Sequence, residues 1–190
     1  MIRSVVYLVS ALVALAGAGA ALADDNRLRR YELPDFDALE MTLPEGWQDS
    51  VDEQPGSAEL TIEMRPELGA AFEAYVTPEP NGQAPGRIED AQSLRESVRD
   101  AARRVAARSA GAPPEIRRLQ GADGVGYYFV AAEQAPAPDE FRHLVQGALL
   151  AGGLVLRFEI LTHDEADPAI AQALAMLQGA VHRDRGLGRP

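Results

Sequence analysis

The sequence predicts an α+β fold: a single antiparallel β-sheet with a long helix and a C-terminal helix packed on it. Three observations lead there. Short segments alternate apolar and polar residues with a period of two, as in Leu154, Leu156, Phe158, Ile160 and Thr162 against Arg157 and Glu159. That is the pattern of strands with one buried and one wetted face. Glycine-rich connections, Gln120-Gly121-Ala122-Asp123-Gly124 and Ala151-Gly152-Gly153, join such segments as hairpins. One long stretch instead carries Ala91, Leu94, Val98, Ala101, Ala102 and Val105 at helical spacing.

Taken in order, residues 1–23 read as an export signal. Arg3 precedes an apolar run from Val5 to Ala20, and Ala21-Leu22-Ala23 stands ahead of Asp24-Asp25. A basic start, an apolar centre and a small-x-small site define cleavage between Ala23 and Asp24. The run is shorter than the ~20 residues that span a bilayer. The expectation is therefore a mature chain that is periplasmic or secreted, with no stable membrane insertion. The chain has no Cys, so no lipid-bearing cysteine is present either.

Residues 24–38 are expected to form a polar lead, 39–182 the single domain and 183–190 a disordered tail. Leu39–Leu43 alternates as a strand until Pro44-Glu45-Gly46-Trp47 turns the chain, with Trp47 plugging one end of the core. Ala58–Arg65 and Ala70–Thr77 form an antiparallel pair around Glu67-Leu68-Gly69, and Pro78–Gly86 is a loop. The long helix spans Arg87–Ala110 and is stopped by Gly111 and Pro113-Pro114. Strands follow at Glu115–Leu119, Val125–Ala132, Phe141–Leu150 and Leu154–Thr162. Asp167 and Pro168 supply an N-cap and a first-turn proline for a closing helix to His182, with Ile170, Ala173, Leu174, Leu177 and Val181 as its apolar stripe.

This order, strands opening on Leu43-Pro44-Glu45-Gly46-Trp47, the helix Arg87–Ala110, and the run from Gln146-Gly147-Ala148-Leu149-Leu150 through Leu154-Val155-Leu156 to the helix at Asp167, resembles the PsbP-like fold. That fold is shared by photosystem II extrinsic subunits, Ran-binding nuclear import factors and bacterial exported proteins of unknown function. The resemblance implies a binding or assembly role. It assigns a role to no residue of this chain.

Composition removes several chemistries. Without Cys there is no thiol catalysis and no cysteine metal site. All eighteen basic residues are Arg, so Schiff-base and phosphate-loop lysines are excluded. The net charge is -11, and between Tyr31 and Pro85 thirteen acids meet the single Arg65. Such a balance opposes binding to nucleic acid or to anionic membranes. It makes Glu59, Glu63, Glu73 and Glu79 the candidate docking face for a cationic protein partner, or else a solvated surface.

No cofactor motif occurs. The candidate metal donors are His163, Asp164, Glu165 and Asp167, set against the reading of Asp167 as an N-cap. No Ser lies in a G-x-S-x-G elbow. A non-enzymatic exported binding or assembly protein is the first functional expectation. The alternative is a small hydrolase or divalent-cation-dependent enzyme.

Overall fold

The structure, a computed structural model, describes residues 26–34, 37–53, 60–82, 90–109, 113–133, 136–137 and 140–183. In chain order the elements are β1 (Arg27–Glu32), β2 (Ala38–Leu43), β3 (Trp47–Glu53), β4 (Leu60–Pro66), β5 (Phe72–Pro80), α1 (Ala91–Ser109), β6 (Arg117–Gln120), β7 (Val125–Ala132), β8 (His143–Ala151), β9 (Leu154–Thr162), α2 (Pro168–Gln178) and β10 (Val181–Arg183).

The strands form two antiparallel sheets, which overturns the expectation of a single one. One has three strands in the order β1-β2-β10, the other seven in the order β3-β4-β5-β9-β8-β7-β6. The turn at Leu43–Trp47 is real, but it is a corner between sheets. Gly46 takes φ 70, a region that favours glycine, and the Trp47 N–H donates to the Pro44 carbonyl at 3.2 Å. The chain thus leaves β2 in the small sheet and enters β3 in the large one. Leu39, Met41 and Leu43 of β2 are fully buried in the main core, so β2 lies over the large sheet rather than beside it. Trp47 closes this end of the core as expected: its ring meets Phe72 edge-on at 5.4 Å, and its Nε1 donates to Gln172 Oε1 at 3.0 Å.

The two helices lie on opposite faces of the large sheet, not together on one. Alternation along β9 decides this. Leu154, Leu156, Phe158 and Ile160 belong to the main core, which also holds the small sheet and Ala169, Ala173, Met176 and Leu177 of α2. Val155, one residue out of phase, belongs to a second cluster with Phe129 and Ala148 and with Leu94, Val98 and Ala102 of α1. Asp90 starts α1 by accepting the backbone N–H groups of Gln92 at 3.0 Å and Ser93 at 2.8 Å. The Ser93 N–H, first among its partners, holds the Asp90 carboxyl below its ordinary value. The expected first turn from Arg87 to Glu89, and Ala110 at the other end, fall outside the described residues.

Three further expectations change. The polar lead contains β1, which pairs with β2 from Arg27↔Leu43 to Glu32↔Ala38 and sends Tyr31 into the core. The closing helix stops at Gln178 instead of His182: the Gly179 N–H makes the last helical bond, to the Ala175 carbonyl at 3.1 Å, and the Ala180 N–H tightens onto the Leu177 carbonyl at 3.1 Å as the chain leaves the helix. Val181 and His182 therefore leave the helix for β10, where they pair with Glu40 and Leu39 of β2. Arg183, assigned to the tail, ends that strand and donates to Glu40 at 2.7 Å; residues 184–190 lie outside the described set.

Candidate functional site

Helix α1 covers β7, β8 and the Val155 end of β9 on the outer face of the large sheet and leaves the strip of β3, β4, β5 and the rest of β9 uncovered among the described residues. Strand alternation decides what that strip displays. With Leu60, Ile62 and Met64 of β4 and Phe72, Ala74 and Val76 of β5 turned into the core, Thr61, Glu63, Arg65, Glu73, Tyr75, Thr77 and Glu79 take the outer face. Register extends it sideways: Ser50 lies beside Glu63, Asp52 beside Thr61, Glu159 beside Tyr75 and Arg157 beside Thr77. The sequence-derived acids Glu63, Glu73 and Glu79 are thus brought to one surface. Glu59 is outside the described residues.

The face is organised by short polar contacts. Tyr75 donates its hydroxyl to Glu73 at 2.7 Å, Arg157 Nε donates to Glu79 at 2.7 Å, and Gln146 Nε2 donates to Glu159 at 2.6 Å. The Thr61 and Thr77 hydroxyls meet at 3.1 Å, and Glu63 accepts longer bonds of 3.5 Å from Ser50 and Arg65. Burial, reinforced by the Glu73 carboxylate, pushes the Tyr75 phenol up to about 12. Five acids, Asp52, Glu63, Glu73, Glu79 and Glu159, share the strip with two arginines, Arg65 and Arg157. The surface carries a net negative charge.

A trough runs along its margin with α1. A cavity of about 500 Å³ is lined by Thr61, Tyr75, Thr77, Glu79, Arg157 and Glu159. A smaller one of about 120 Å³ shares Arg157 and Glu159 and continues under Ser97, Ala101 and Arg104 of α1. The mixed polar lining suits binding of a polar or charged group. A separate cavity of about 440 Å³ lies beside Val105 in the C-terminal half of α1, with Leu144, Leu161, Phe141 and His143. The Nδ1 atom of His143 is buried there without a hydrogen-bond partner.

Of the candidate metal donors, Asp164 and Asp167 accept hydrogen bonds within the loop and helix cap, and Glu165 is exposed between them. Asp167 Oδ1 accepts the Ala169 N–H at 2.9 Å as the N-cap of α2, and its Oδ2 accepts the Thr162 hydroxyl at 3.2 Å. Asp164 accepts the Ala166 N–H at 2.9 Å, while His163 stacks on Phe141 with ring centroids 5.0 Å apart. Among the described residues no group of three or more His, Asp or Glu side chains is placed to hold a metal ion. The cleavage-site residues Ala21, Ala23 and Asp24 lie outside the described residues. No described helix is long and apolar enough to cross a membrane.

Sequence reasoning missed Thr61, Tyr75, Thr77, Arg157 and Glu159 as site residues. Their alternation was visible, but nothing local signals that β9 lies beside β5, 78 residues away along the chain at the Arg157–Glu79 contact. In comparisons with known proteins, no family model and no curated protein sequence matches this chain.

Proposed function

We propose that this is an exported binding or assembly protein that acts without catalysis, recognising a cationic protein partner through the acidic outer face of β3, β4, β5 and β9. One observation carries the reading: Glu63, Glu73 and Glu79 come together with Asp52 and Glu159 on a sheet surface that no described element covers. Opposite charge steers association and makes it sensitive to salt. Export rests on the sequence of residues 1–23 alone.

The test begins with crosslinked capture of a partner from the native periplasm. That partner is then titrated against the parent protein and a Glu63→Gln, Glu73→Gln, Glu79→Gln variant. Affinity should fall on neutralisation and should weaken as ionic strength rises from about 0.01 M to about 0.15 M, over which the Debye length shortens from ~30 Å to ~8 Å. Unchanged affinity with a flat salt dependence would assign the acids to solvation instead.

A second reading, a small hydrolase, has one observation in its favour, the cavity that holds the unpartnered His143 Nδ1. It requires an ester or glycoside hydrolysis that His143→Ala abolishes. Absence of turnover across a general hydrolase substrate panel removes it.

A further inference from the structure

Resting on the acidic-face reading, the shape of the surface specifies the form of the partner. We infer that the segment seated there is a basic helix, rich in lysine or arginine, laid beside α1 in the trough over β5 and β9.

The first argument is backbone satisfaction. Within the strip, β4 is paired to β3 and to β5, and β5 to β9, so backbone groups point along the sheet and the face presents side chains alone. A docked segment must then satisfy its own N–H and C=O groups, which a helix does internally. An extended peptide gains its main-chain bonds at a sheet edge, not on a face.

The second argument is room. Four strands about 4.8 Å apart make a strip roughly 15–20 Å wide, which accommodates one helix about 10–12 Å in diameter. The wall that such a helix meets is low. Ser97 and Ala101, one turn apart on α1, line the narrow end of the trough, and its floor there includes Gly147 and Ala148. Small side chains on wall and floor permit the ~8–10 Å interaxial spacing of packed helices.

The third argument is charge. The strip beside and beneath the trough carries five acids against two arginines and selects a cationic visitor; the trough itself is lined by Glu79 and Glu159 with Arg157, and Arg104 on the α1 wall orients the visitor. Positive side chains on the visiting helix meet the carboxylates of β4 and β5, while its neutral flank faces Ser97, Ala101 and Arg104.

The experiment compares two labelled peptides by fluorescence anisotropy against the full mature chain. One is an alanine-lysine helical peptide of about twenty residues; the other has the same lysine content with two central prolines that break the helix. The helical peptide should bind at least about tenfold more tightly, and that preference should fall about tenfold when the trough is filled by Ser97→Trp or Ala101→Trp. Circular dichroism selects whichever tryptophan variant keeps the parent spectrum, and the peptide pair decides the matter even without them. Equal binding of both peptides, with sensitivity to neutralising Glu63, Glu73 and Glu79, would overturn the helix and leave the acidic face standing. Failure of both peptides to bind at low salt, or binding that survives neutralisation, would overturn both.

Discussion

Asp49 of β3 holds Arg29 of β1 through two bonds to a single carboxylate oxygen, Nε at 2.9 Å and Nη2 at 2.6 Å. The other oxygen accepts the Tyr31 hydroxyl at 3.0 Å. Together with the Arg27 guanidinium, which donates to the Trp47 carbonyl, this fastens the small sheet across the edge of the large one. The Asp49 side chain is only 8% exposed while that of Arg29 is 43% exposed, so the two ends of the pair are not equivalent.

Asp49→Ala should accordingly cost about 1–3 kcal/mol, because it strands the buried Tyr31 hydroxyl as well as the guanidinium. Arg29→Ala should cost about 1 kcal/mol or less, since solvent screens its half-exposed charge. Urea unfolding of both single variants and the double variant measures the coupling. Equal costs for the two would show that Tyr31 gains nothing from Asp49.

Alkaline pH should destabilise the fold through Tyr75. Its folded value is raised from 10.0 to about 12, so below pH 10 both folded and unfolded states keep the proton. Above it the unfolded chain releases the proton first, and stability falls until about pH 12. Tyr31 is raised for the same first reason, burial, with Asp49 adding to it. Absorbance titration of the phenolates should show late components, and Tyr75→Phe should remove one of them and flatten the alkaline loss.

At the acid end the informative group is Glu40. The Arg183 hydrogen bond, partly opposed by desolvation and assisted by Arg30, holds its carboxyl below 4.5. Its contribution is complete above that value and is lost as pH falls through the lowered folded one. Glu40→Gln should therefore lower stability at neutral pH and reduce the acid slope of thermal melts. An unchanged slope would show that the ties from Arg30 and Arg183 add nothing.

Val98→Asp tests the second core. Val98 is 4% exposed among Leu94, Phe129, Ala148 and Val155, where an unpaired carboxylate has no partner. The cost should reach several kcal/mol and in all but the most stable background should unfold the domain. A melt like the parent's would mean that α1 is not packed on β7 and β8.

Exported material should begin at Asp24, directly after the Ala21-Leu22-Ala23 site. Recovery of the intact chain solely in membranes, by N-terminal sequencing of each fraction, would overturn cleavage.

What the sequence determined by itself is what local pattern carries. β7 and β9 span the segments expected of them, Val125–Ala132 and Leu154–Thr162, because period-two alternation and the Gly-rich turns beside them are short-range signals. The β4–β5 hairpin, the Asp167 cap, the body of α1 from Ala91 to Ser109, and the shared face of Glu63 and Glu73 are of the same kind, whereas Glu79 lies in a segment expected as loop that pairing with β9 extends as strand to Pro80. β1 and β3 were not readable: charged residues interrupt their alternation, and the inward Asp49 carboxylate suits burial only because Arg29 and Tyr31 of β1 meet it.

Tertiary structure alone decided that the strands divide into two sheets, that α1 and α2 take opposite faces, and that Val181 and His182 leave the expected helix and Arg183 the expected tail to pair with β2 as β10. It also placed β9 beside β5 and so assembled the trough. Strand partners are chosen by the burial of whole faces across long separations. A period of two says which side chains share a face, but not what that face will meet.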